Sequence, residues 1–151
     1  MLAAMANLQA PSSLAQEWQA LFAQHEQYEK NALWVKLLAT VLYALGVAAA
    51  QDAILIALVV LVLWLQESMQ RTTQARLGAR MLLVESLWAH GSADPAQAFQ
   101  LHTQWLAARK GLAGLLGEYA VNACRPTVAF PYAVFLLHLV AILSTSPAAP
   151  A

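Results

Sequence analysis

Two apolar runs, 33–50 and 53–65, are separated only by Gln51 and Asp52. The first reads LWVKLLATVLYALGVAAA and the second AILIALVVLVLWL. The first is long enough for about 27 Å of helix, close to the hydrocarbon thickness of a bilayer. The second reaches that length only if the crossing continues through Gln66 and Glu67. Together they predict a membrane helical hairpin over 32–67, with the Gln51-Asp52 pair at its tip. A third run, TVAFPYAVFLLHLVAIL, is at the lower limit for a crossing and predicts a third transmembrane segment over 126–143.

Amphipathic stretches flank the hairpin. Ser13 and Gln16 have the spacing of a capping box, in which each side chain satisfies the other's free backbone N–H. Leu14, Trp18, Leu21, Phe22, His25 and Tyr28 then recur at offsets of three and four, which puts them on one helical face. The opposite face carries Gln16, Glu17, Gln19, Gln24, Glu26, Gln27 and Lys30 and reads as solvated. A cytoplasmic helix over 13–31 should therefore run unbroken into the first crossing, because no Gly or Pro intervenes before Gly46.

The second crossing continues the same way, into a cytoplasmic helix over 68–90 that Gly91 terminates. Gly78 inside it costs about 1 kcal/mol relative to Ala, acceptable where a neighbouring helix approaches closely. Asp94 and Pro95 are a cap and a first-turn proline. They open a third cytoplasmic helix over 95–118, folding back along the second. Gly111, Gly114 and Gly117 in that helix serve either close approach or bending. Residues 1–11 should be mobile and lack a signal-peptide pattern. The uncharged tail 144–151 falls on the far side of the membrane.

A common register supports the hairpin. His25 with Leu77, Leu21 with Met81, Trp18 with Val84 and Leu14 with Trp88 are equidistant from the 51/52 tip, and Lys36 then falls opposite Glu67. A lone lysine at the membrane boundary is costly, and a facing carboxylate relieves it. An unbroken third helix would set Glu118 level with Glu67 and bury Arg125 about two turns deep in the apolar layer. A bend or shift between Gly111 and Pro126 is expected instead, since a proline disfavours helix at the residue before it.

All eight Lys and Arg residues lie on one side of the tip, which places the N-terminus and the 91–125 segment in the cytoplasm. Trp34 and Trp64 flank that boundary as interface anchors. The fold class that follows is an all-α integral membrane protein, expected in a bacterial inner membrane. It is a long antiparallel helical hairpin extending from membrane into cytoplasm, within a bundle spanning 12–125. A third helix returns to the third transmembrane segment.

Composition narrows the chemistry. In 151 residues, 60% are hydrophobic and 11% charged, against the usual quarter charged in soluble proteins. A net charge of zero offers no field for nucleic acid. No Glu-x-x-His motif accompanies His25, Glu26 and Glu29, so a carboxylate-bridged metal site is disfavoured. His138 is expected to hydrogen-bond Tyr43, Thr40 or a carbonyl. Cys124 reads as a small buried residue, with juxtamembrane acylation as the other reading.

No catalytic, cofactor-binding or metal residues are expected, and no enzyme activity. Lys36, Glu67, Glu118 and Arg125 form a candidate polar cluster at the cytoplasmic boundary. It reads as a charge-compensated anchor more readily than as an ion relay. The function expected is a non-enzymatic accessory or scaffold subunit acting through helix–helix interactions. Its partners would be membrane lipid and either a partner membrane protein or further copies in a homo-oligomer. Alternatives are a self-assembling pore-forming or membrane-disrupting effector, and a small ion-coupled transport component.

Overall fold

The computed structural model describes residues 13–90, 95–107 and 111–145, and all of their regular structure is helical. In chain order these are α1 (Ser13–Ala48), α2 (Ala53–Ala89), a 3-10 turn (Pro95–Gln97), α3 (Leu101–Ala107), α4 (Gly111–Ala123) and α5 (Pro126–Thr145). The expectations for 1–11, Gly91, Asp94, Arg109, Lys110 and the tail beyond Thr145 lie outside the described residues. The 36 residues of α1 and 37 of α2 make helices about 55 Å long. Three helices, α1, α2 and α5, are long and apolar enough to cross a membrane.

The turn between α1 and α2 is closed by backbone and side-chain bonds at both helix ends. Gln51 N–H donates to the Gly46 carbonyl at 3.0 Å and Ala50 N–H to the Val47 carbonyl at 3.1 Å. This is the Schellman arrangement, which requires a left-handed residue just past the helix. Ala50 supplies it with φ 49°. Asp52 then caps α2, its carboxylate accepting from the Ile54 and Leu55 amides at 2.8 and 3.2 Å. Below the turn a Cβ on Gly46 would come within 3.0 Å of Ile56, so the glycine is what lets the helices approach there.

α2 is the central helix, with α1, α4 and α5 all packed against it. Contacts between α1 and α2 run from Gly46 with Ile56, through Lys36 with Glu67, to Trp18 with Glu85. The numbers fall on one helix as they rise on the other, so the two lie side by side in opposite directions. One apolar cluster joins Ala39, Ile56, Val60, Tyr132 and Leu139; a second, at the other end, joins Leu14, Val84 and Ala98. Between them lies a polar layer of Glu67, Ser68, Thr72, Gln74 and Asn122, all buried. Around the first cluster the large side chains point outward: Leu37, Leu38, Val41, Leu45, Leu55, Leu58, Val62, Phe130 and Leu137 are exposed.

Several expectations are corrected. The single helix over 95–118 is divided, because Phe99 and Gly111 adopt left-handed φ of 60° and 71°, which no helix continues through. A Cβ on Gly111 or Gly117 would meet nothing within 4 Å, so neither serves close helix approach. Glu17 is buried rather than on a solvated face, and Cys124 is exposed rather than buried. Trp88 is exposed; Leu87 packs on the Leu14 cluster instead, as a 3.6-residue helix drifting away from a strict heptad stripe requires.

Ala50 carries a strain that glycine would not, since left-handed backbone costs an L-residue about 1–2 kcal/mol. Ala50→Gly should therefore stabilise the chain by about 0.5–1 kcal/mol, the gain reduced by the extra freedom of glycine when unfolded. The midpoint of denaturation of the detergent-solubilised chain reads this directly. A lower midpoint for the glycine variant would be the contrary result.

Candidate functional site

The first site is built around Glu67, whose side chain is 0% exposed. Its Oε2 accepts the Tyr132 hydroxyl of α5 at 2.9 Å. Lys36 Nζ of α1 lies 3.0 Å from Oε1, and Arg71 Nε, one turn along α2, lies 3.8 Å from the same oxygen. Neither cation directs a well-aligned hydrogen at Oε1, so these pairings are mainly Coulombic. One carboxylate thus joins α1, α2 and α5.

Lys36 has a second partner, and the sequence explains it. Pro131 lies inside α5, where a proline has no N–H to give the carbonyl four residues earlier. That carbonyl belongs to Thr127, and Lys36 Nζ donates to it at 2.7 Å. The proline creates an orphan acceptor inside an apolar segment, and the lysine fills it.

Trp64 stacks on Tyr132 with centroids 5.9 Å apart and donates its indole N–H to the Ala123 carbonyl at 3.1 Å. Trp34, by contrast, is exposed on α1. Nearer the tip, the Tyr43 hydroxyl meets His138 Nδ1, and Tyr43 stacks on Phe135.

Two members of the expected cluster are elsewhere. Glu118 pairs with Arg76 at 2.8 Å, and Arg76 also lies over the Trp105 ring. Relative to an unbroken third helix, α4 is displaced along α2 by about nine residues, or about 13 Å. The breaks at Gly111 and at 124–125 make that shift possible. It leaves Arg125 exposed just before α5, and no ion pair joins it to Glu67 among the described residues. Asn122 donates to Thr72 Oγ1 and to the Glu118 carbonyl of its own helix, both at 2.9 Å, and the bond to Thr72 holds α4 in its shifted register.

The second site, at the other end of the bundle, was not read from the sequence. Arg80 and Glu17 are each 3% exposed. Arg80 Nε and Nη2 donate to the two Glu17 oxygens at 2.8 and 2.9 Å, the bidentate geometry that makes arginine–carboxylate pairs strong. Nη2 also donates to the Gln97 carbonyl at 2.7 Å, and Nη1 to Gln104 Oε1 at 3.0 Å. The pair therefore ties α1, α2, the 3-10 turn and α3 together. Glu17 Oε2 accepts one more bond, from the Phe99 backbone N–H at 2.8 Å. That bond holds Phe99 in its left-handed conformation with its side chain largely in solvent: the residue is 64% exposed.

Burial alone would raise the pKa of Glu17. The hydrogen bonds from Arg80 and Phe99, with the charge of Arg80, outweigh it and leave the carboxyl below its ordinary value. The Pro131 signal was available in the sequence. The Glu17–Arg80 pair had none, since three of its partners come from the divided 95–107 segment.

Two tests follow. Lys36→Met leaves the Glu67 carboxylate without its closest cation and should destabilise by about 3 kcal/mol. In a Pro131→Ala background, where residue 131 regains an N–H for the Thr127 carbonyl, the loss should shrink by about 1 kcal/mol. A double-mutant cycle in detergent unfolding measures the coupling; strict additivity would contradict the shared carbonyl.

The Glu17 test uses pH. A carboxyl with a depressed folded pKa stabilises fully above its unfolded value, near 4.5, and the contribution disappears as pH falls through the lower folded value. Acidification below pH 4.5 should lower the melting temperature, and Glu17→Gln, about 3 kcal/mol less stable at neutral pH, should show a shallower acid slope. Equal slopes would contradict the assignment.

The chain matches no protein-family model, no curated protein and no solved structure.

Proposed function

We propose that the chain is a three-span protein of a bacterial inner membrane, its N-terminus in the cytoplasm, acting as a non-enzymatic accessory subunit. It binds a partner membrane protein through the cytoplasmic end of its bundle. The orientation rests on charge: Lys30, Lys36, Arg71, Arg76, Arg80 and Arg125 lie on one side of the α1–α2 turn, which itself carries only Asp52. The outward-facing apolar residues of α1, α2 and α5 suit a lipid surround. Glu67 is charge-compensated by Lys36 and Arg71 and bonded by Tyr132, which favours an anchor over an ion relay.

The observation that carries the partner-binding reading is Phe99. A bulky residue at positive φ is a genuine outlier, and such strain persists where the surrounding structure imposes it, often at functional positions. Here a buried ion pair holds an aromatic ring in solvent, where it gains nothing from burial. Leu82 and Leu106 on the same end are also exposed. A groove beside Arg80 is lined by Leu83, Leu101 and Trp105. Exposed aromatic anchors beside shallow apolar grooves are what protein interfaces use.

The test compares wild type with Phe99→Asn, a residue that tolerates left-handed backbone. Both are recovered from native membranes in mild detergent and the complexes weighed. The wild type should carry a partner of different mass. Phe99→Asn should retain or raise thermal stability while partner recovery drops about tenfold or more, as loss of an aromatic anchor does. A wild type that is monomeric and cross-links to nothing would overturn the reading, and self-complexes alone would replace the partner with further copies.

A further inference from the structure

Between α2 and α4 lies a groove of about 440 Å³ lined by Leu61, Trp64, Leu65, Leu116, Ala120 and Cys124, among others. We infer that it holds one acyl chain of an anionic phospholipid, whose phosphate is bound by Arg125 next to the Cys124 end of the groove. The inference rests on the membrane reading above.

The size falls within the range of ligand pockets, about 300–1,000 Å³, and the chemistry excludes most other occupants. A peptide in extended form brings backbone N–H and C=O groups that need partners. The groove wall is almost wholly apolar. Ser68, which also lines it, already donates its hydroxyl to the Leu65 carbonyl at 2.8 Å, and the Trp64 N–H is taken by Ala123. A hydrocarbon chain makes no such demands. On one side the groove continues into the exposed Leu61 and Leu65 of the membrane-length part of α2, so a tail enters from the bilayer without crossing water.

The headgroup end follows from charge. Among the described residues, Lys36, Arg71, Arg76 and Arg80 all face carboxylates. Lys30 and Arg125 are exposed and in no described ion pair, and of the two only Arg125 adjoins the groove, one residue past the Cys124 that lines it. It sits at the amino end of α5, where its carbonyl accepts from the Val128 and Ala129 amides at 2.9 and 2.8 Å. The dipole of the twenty-residue helix is positive at that end. An arginine also matches a phosphate bidentately.

The full chain, purified in mild detergent, is exchanged against phosphatidylglycerol or phosphatidylcholine of equal chain length, and bound lipid is counted by native mass spectrometry. The wild type should retain one phosphatidylglycerol, about fivefold in preference to phosphatidylcholine. Arg125→Gln should abolish the preference while leaving tail occupancy. Ala120→Phe, which fills the groove, should lower retention of both lipids at unchanged helicity. Equal retention of the two lipids by the wild type would overturn the inference, as would retention unaffected by Ala120→Phe. A cross-link from position 120 to another protein in native membranes would overturn it in favour of a protein occupant. A chain that does not fractionate with membranes would overturn the membrane reading and the inference together, whereas one that does, without lipid preference, removes the inference alone.

Discussion

A carboxylate taken wholly out of solvent is the constraint that organises the apolar half of the molecule. An unpaired buried charge costs several kcal/mol, so Glu67 needs compensation from helices that have little other reason to choose a register. In hydrocarbon, lipid tails are as apolar as leucine, and burial alone does not drive helices together. Lys36 and Tyr132 supply the compensation and thereby fix α1 and α5 against α2 at one level. Pro131 deepens the dependence. Its missing N–H gives Lys36 a carbonyl to bind, so each group settles a neighbour's deficit and the removal of any one exposes the rest. Gly46, by admitting Ile56, lets the same two long helices close together near the turn.

The polar layer beyond Glu67 works by shorter reach. Thr72 donates to the Ser68 carbonyl and accepts from Asn122, a neutral pairing that places α4 on α2 without a charge. Glu118 and Arg76 reinforce it where solvent is closer. The shift of α4 that these contacts stabilise keeps Arg125 out of the apolar layer. An unbroken helix would have carried it about two turns inside, a position at which an arginine demands a partner.

How much of this was legible follows from which signals are local. The extents of α1 and α2 could be read because nothing in either stretch breaks a helix before the turn, and the polar pair Gln51-Asp52 marks that turn. Lys36 and Glu67 stood out as lone charges beside apolar runs, and their equal distance from the turn brought them together on paper. Tyr132 carried no such mark: an aromatic in an apolar run reads as lipid-facing until a buried acid is placed next to it. The path of 95–107 was hidden for a different reason. Its residues suit a helix, and what divides it is positive φ at Phe99, a residue for which nothing in the sequence suggests that conformation. Glu17 was misplaced as a consequence, because its burial depends on that division.

The two non-glycine residues with left-handed backbone show why Phe99 bears a functional reading and Ala50 does not. Ala50 is small, and the turn it occupies needs a left-handed residue to close the Schellman bonds; alanine meets the requirement imperfectly, and local geometry explains it fully. Phe99 lies in the turn that follows the 3-10 helix Pro95–Gln97, but that turn is fastened from a distance. Its amide is captured by a side chain 82 positions away, and that side chain is itself fixed by a buried arginine. Asparagine or glycine at 99 would satisfy the same bond with less strain, so stability alone gives no reason for an exposed phenyl ring there. That mismatch is the ground on which the ring is proposed as a contact for a partner.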